Sequence, residues 1–169
     1  MAIARKKVVI RLFSGELTWA YLPQGGFVTA GVVEALDVAG KVIPLALNEI
    51  KTIAYVKDFN SDDSVDPERM GRRSFLGRPR GDGLWLKLEF RDKDALEGLA
   101  HFDVGFIDSL TEDCGLSISI PDARSNTQRV YVPRAALAAV QVLGYIGAPA
   151  KRKAMERLAG VSQPGLFEE

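Results

Sequence analysis

The stretch "LNEIKTIAYVKDF" (47–59) reads as a polar turn running into a buried strand, and "RAALAAVQVL" (134–143) starts 87 residues after it. At that one offset Ile50, Ile53, Tyr55 and Val56 fall on Leu137, Val140, Val142 and Leu143. Four apolar positions at constant spacing point to one closing element made twice. The alanines of the second copy favour helix more than the residues they match.

On either side of these stretches, "LWLKLEFRDKDALEGL" (84–99) repeats the plan of "KVVIRLFSGELTWAYL" (7–22): a strand, a polar turn, a second strand. "FVTAGVVEAL" and "KVIPLAL" follow in the first half as short apolar runs. "FDVGFIDSL" parallels the next apolar segment in the second half, before "GLSISIPD" and "TQRVYVP". The fold class expected is therefore mainly β, as two similar small β-barrel or bent antiparallel-sheet modules with short helical elements. Five short strands per half hide their edges most simply by curling into a barrel. The expected core is Val9, Leu12, Trp19, Leu47, Ile53, Val56, Leu86, Leu88, Phe106, Ile118, Ile120, Val130, Val132, Leu137 and Val140. One composite domain with a shared sheet is the alternative, since a unit of about 60 residues is marginal alone.

Charge marks the boundaries. "SDDSVDPE" (61–68) holds four acids and "RMGRRSFLGRPR" (69–80) five arginines, amid Gly, Pro and Ser. The division is 5–60 as one module, 61–82 as a charged flexible linker, 83–145 as the second module, and 148–169 as a short helix and tail. Over the whole chain 22 basic and 22 acidic residues cancel, so broad attraction to nucleic acid is not expected. The single cysteine, Cys114, excludes an internal disulfide and a cysteine-built zinc site. No long apolar run or signal-type leader is present, which predicts a cytoplasmic protein without membrane insertion.

"VVIRLFSGELTWAYL … IPLALNEIKTIAYVKDF" is similar to an uncharacterised family of small bacterial domains compared with Sm-like and PilZ-like barrels. Val8, Val9, Arg11, Phe13 and Gly15 match its opening motif, with Ser14 and Ala20 departing; Leu47, Val56, Lys57, Asp58 and Phe59 match its ending. The match covers residues 7–59, with a fainter second copy. PilZ-like domains bind cyclic di-GMP through RxxxR and DxSxxG. The resemblance thus implies a cyclic dinucleotide site from Arg69, Arg72 and Arg73 with Asp108 and Ser109, although Ser109 follows Asp108 directly and Gly115 comes late.

Catalytic motifs are absent: His101 is the only histidine, and HExxH, CxxC, GxSxG and GxxxxGK[ST] do not occur. "DKD" (92–94) and "EDC" (112–114) read as exposed acidic turns rather than cation sites. No enzyme, no cofactor and no metal is expected. The functional reading is a noncatalytic interaction or regulatory module, with a protein partner or self-association. Three alternatives stand beside it. One is the cyclic di-GMP sensor. Another is a small RNA-binding barrel using Trp19, Tyr21 and Phe27. In the third, the terminal "QPGLF" peptide resembles the QxxLF type that holds the bacterial sliding clamp, through Gln163, Leu166 and Phe167.

Overall fold

The computed structural model describes residues 4–122 and 124–147. The first half supplies β1 (Lys6–Leu12), β2 (Leu17–Leu22), β3 (Val28–Thr29), β4 (Val32–Asp37), β5 (Val42–Ala46), a 3₁₀ turn (Leu47–Glu49) and β6 (Ile50–Val56). The second supplies β7 (Gly83–Phe90), β8 (Ala95–Ala100), helix α1 (Val104–Thr111), β9 (Gly115–Ile118), β10 (Thr127–Pro133), a 3₁₀ turn (Arg134–Ala136) and β11 (Leu137–Ile146). The architecture is mainly β, in an eight-stranded and a three-stranded sheet with one short α-helix among the described residues.

The repeat holds at the level of hydrogen-bond register. Val8 lies opposite Ala20 and Ile10 opposite Thr18; 78 residues on, Leu86 lies opposite Gly98 and Leu88 opposite Leu96. Ile10 faces Ile53 in the β1–β6 pair, and Leu88 faces Val140 in the β7–β11 pair. Both pairs contain the same bulge, because Leu12 meets Ile50 as Phe90 meets Leu137 and one residue is skipped after each. The backbone bond Phe13 N to Glu49 O (3.0 Å) has its counterpart in Arg91 N to Ala136 O (3.0 Å). A register shared down to its bulge is far more specific than the four apolar matches that announced it.

The sheets are open, which corrects the barrel expectation and with it the Sm-like and PilZ-like comparison. The larger sheet runs β3-β4-β2-β1-β6-β10-β9, with β5 on β4, and the smaller runs β11-β7-β8. The physical reason is the far edge of β6. A self-contained barrel would pair that edge within its own half, but here it pairs with β10 of the second half, Ala54 facing Val130 and Ile53 facing Tyr131. An edge is protected by any good partner, and this chain provides one from its other half. Among the described residues the two sheets meet at one isolated bridge, where Leu99 and Ser119 exchange backbone bonds of 2.9 Å.

Pairing across the halves gives β1 and β6 two covered faces. Val8, Ile10, Leu12, Ile53 and Tyr55 point into one core with Ala20, Leu22, Phe27, Val33 and Tyr131. Val9, Ala54 and Val56 point the other way, into a core with Leu86, Leu88, Phe90, Leu96, Ile118, Val130 and Val132. This explains the continuous apolar runs "VVI" and "IAYV", which one-sided strands would interrupt with polar residues. Of the expected core, Trp19, Phe106 and Leu137 are partly buried, whereas Val140 is 47% exposed.

The charged segment before β7 is tied to the body. Glu68 is fully buried and paired with Arg11, and its carbonyl accepts from Ser125 Oγ (2.8 Å) and Thr127 Oγ1 (2.9 Å). Asn126 donates to the carbonyls of Asp58 (2.6 Å) and Pro67 (2.9 Å), so one side chain holds the end of the "VKDF" stretch to the segment that follows it. At the bulge in β6, Lys51 reaches into the second half and pairs with Asp92 (2.7 Å) and Asp94 (2.9 Å), and Arg73 joins Asp94 at 3.1 Å.

Candidate functional site

Where the first half inserts β3 between β2 and β4, the second half inserts α1, and the two insertions face one another. Asp103 caps the helix, its side chain accepting from Phe106 N at 3.1 Å. A glycine at the second helical position and only eight residues make this a weak helix by itself. It is held at its inner side by Phe106, which packs against the second core.

Between the helix and the 24–26 loop lies a cleft of about 280 Å³. Asp103, Asp108, Ser109 and Glu112 line it from the helix side, Ser117 of β9 with His101 and Ser119 just past the ends of β8 and β9 from below, and Gln24 and Arg129 from the opposite wall. Asp113 closes its base. Its carboxylate is almost fully buried and accepts three backbone N–H bonds, from Gly26 (2.9 Å), Phe27 (3.0 Å) and Val28 (3.2 Å). Behind it, the Tyr131 hydroxyl donates to the Asp113 carbonyl, and burial is the main cause that raises the Tyr131 pKa, with the Asp113 charge adding to it. Tyr55 donates to Pro23 O at 2.6 Å; burial pushes it up to about 12 against the opposing pull of Arg129, whose guanidinium lies 4.5 Å from the ring centre.

The sequence-derived site residues fall in separate places. Asp108 and Ser109 line the cleft, but none of Arg69, Arg72 and Arg73 does. Arg69 donates to Asn60 Oδ1 at 2.8 Å, and Arg73 is engaged with Asp94 near the β7–β8 turn. Gln163, Leu166 and Phe167 lie outside the described residues. Asp113 and Arg129 escaped the sequence reading, and the reason is distance: the donors to Asp113 are 85 to 87 residues away, and the Gln24 carbonyl accepting from Arg129 is 105 away. His101 Nε2 sits 3.2 Å from Ser119 Oγ, and both side chains line the cleft. Among the described residues no group of three or more His, Cys, Asp or Glu side chains is placed to hold a metal ion. No helix among them is long and apolar enough to cross a membrane.

The outer face of α1 is apolar. Val104, Ile107 and Leu110 follow one another at three-residue spacing and are 76%, 50% and 41% exposed, and Phe102 beside them is 66% exposed. A surface helix ordinarily turns its apolar stripe inward. Here one apolar residue, Phe106, faces in and the stripe faces out, next to a cleft rimmed by carboxylates.

Residues 4–144 match the Family of unknown function (DUF6982), and the chain belongs to that family. No curated protein and no solved structure matches it. The family match spans both halves, so the resemblance is not confined to residues 7–59, and it replaces the Sm-like or PilZ-like assignment while the internal repeat stands.

Proposed function

We propose that this member of the DUF6982 family is a noncatalytic interaction module that docks a protein partner on the outward face of α1 and the adjoining cleft. The supporting observation is the exposed Phe102, Val104, Ile107 and Leu110 group, a contiguous apolar patch of the kind that marks an interaction surface. The chemistry beside it describes the partner: a short segment with apolar anchors for the helix and basic groups for Asp108 and Glu112 at the cleft rim. Arg129 does not compete for these carboxylates, because it is stacked on Tyr55 and bonded to the Gln24 carbonyl.

The test compares the intact protein with an Ile107→Lys/Leu110→Lys variant as baits in lysate of the native host. Both side chains are exposed, so thermal unfolding of the variant should match the parent. A partner retained by the parent and lost by the variant supports the reading. Equal retention by both, or a turnover by the purified protein that survives the substitutions, overturns it.

A further inference from the structure

We infer that β11 is a self-association edge, which pairs antiparallel with β11 of a second copy of this chain about a two-fold axis near Gln141. The repeat itself exposes the feature. Ile53, Tyr55 and Val56 in β6 are 0%, 3% and 5% exposed; β10 lies along that strand, its Tyr131 packs with Ile53 and Tyr55, and Val56 is covered in the other core. Their counterparts in β11, Val140, Val142 and Leu143, are 47%, 60% and 36% exposed, and Tyr145 further along is 54% exposed. Among the described residues the same element in the same register is thus covered in one half and bare in the other.

The bare strand has none of the usual protections. β11 is ten residues long, stands at the end of its sheet, and "LAAVQVLGYI" contains no charged residue and no proline. Exposed edges are ordinarily blunted by lysine, proline or shortness. Bulges interrupt it after Leu137 and after Val142, but the stretch Ala139–Val142 between them is in regular register. An uncharged edge can approach its own copy without repulsion.

Among the described residues five strands end the two sheets, but β3 has two residues, β9 has four, and the outer side of β8 is bonded to Arg73 and Ser119. That leaves β5 and β11 of a second copy to compete for this edge. By analogy with β10 on β6, the first is β5, which occupies the position of β10 in the first half and also ends its sheet. Proline rules against it. Asp37 N bonds Lys41 O and Leu47 N bonds Gly31 O at the two ends of the β4–β5 pair. Bonded pairs recur at every second residue, so Ile43 and Leu45 turn their N–H groups to β4, while Val42, Pro44 and Ala46 turn outward. Pro44 stands where Tyr131 stands in β10, and it offers no N–H at the centre of that edge. The β5 edge is blunted and the β11 edge is not, which leaves β11 to pair with itself and close the assembly as a dimer. This surface is separate from α1 and does not depend on the role proposed for that helix.

Sedimentation equilibrium of the full chain, alone and as Val142→Lys, reads the association directly. The parent should run as a dimer and the variant as a monomer with unchanged circular dichroism and thermal unfolding. A second measurement fixes the geometry. In a Cys114→Ser background, Val140, Gln141 and Val142 are replaced one at a time by cysteine and oxidised; at least one single-cysteine protein should cross-link to itself as a dimer. A monomeric parent overturns the inference, and so does a dimer that survives Val142→Lys with no single-cysteine cross-link. Extended ladders that need cysteines at both Val42 and Val142 would instead establish β5–β11 pairing and overturn it too.

Discussion

Arg11 grips both oxygens of the fully buried Glu68 carboxylate, Nε to Oε1 at 3.1 Å and Nη2 to Oε2 at 2.8 Å. The pair joins β1 to the charged segment between the halves, and Glu68 has no access to water that could replace its partner. Removing one member of a buried pair costs about 3–5 kcal/mol, because an uncompensated charge is left behind. Arg11→Ala is therefore expected to lower stability to urea by an amount in that range. The double variant Arg11→Met/Glu68→Leu should recover most of the loss. If Arg11→Ala costs less than about 1 kcal/mol, the pair behaves as a solvated surface bridge instead.

Alkali should loosen the same molecule at Tyr55 and Tyr131. Burial raises both above their ordinary value of 10.0, Tyr55 to about 12. The unfolded chain then loses these protons more readily than the folded one. The stability they confer is whole below pH 10 and declines as pH rises from 10 towards 12. Thermal unfolding followed across that interval should fall more steeply for the parent than for Tyr55→Phe, whose ring cannot ionise. Parallel curves for the two proteins would remove Tyr55 from this account.

Lys93 occupies the turn position that Gly15 fills in the first half, with φ of 71° against 91°. In both turns the residue donates its N–H to the strand end before it, Gly15 to Leu12 and Lys93 to Phe90. A side chain in the left-handed region costs roughly 1–2 kcal/mol, part of which glycine returns as lost chain entropy. Lys93→Gly should raise the unfolding midpoint modestly, by about 1 kcal/mol or less in stability. A lower midpoint would mean that the lysine side chain contributes more than the backbone strain costs.

These same elements mark how far the sequence could be read. The repeat is legible because Ile50, Ile53 and their counterparts keep their apolar character wherever they pack. The turn at 92–94 is legible from its polar residues. Which strand edges meet is not, because edges are made of backbone groups that no side chain advertises; β6 meeting β10 instead of closing on its own half is invisible in "IKTIAYV". Helix α1 was concealed differently. "FDVGFIDSL" is apolar enough to stand in for a strand, and only the Asp103 cap and the Val104–Ile107–Leu110 spacing distinguish it. The alanines of 135–139 pull the other way: they favour helix, yet past the 3₁₀ turn at Arg134–Ala136 the chain is strand, held by register with β7. Long-range pairs such as Arg11 with Glu68 leave no local trace at all.

Asp113 offers the sharpest test of how the two halves are joined at the cleft. Its side chain alone accepts from Gly26, Phe27 and Val28, so the loop before β3 is positioned by a carboxylate from the end of α1. Asp113→Ala leaves these N–H groups without that acceptor; each buried one costs about 1–3 kcal/mol unless the loop opens to water. Opening is the cheaper course, because β3 is only two residues long and Gly26 permits the backbone to swing, its φ being 68°. The expected result is therefore local: faster amide exchange at Gly26, Phe27 and Val28, with a global loss smaller than the sum of three broken bonds. Asp113→Asn keeps one acceptor oxygen and should fall between the two. Unchanged exchange at these three amides in Asp113→Ala would show that the loop holds its place without the carboxylate.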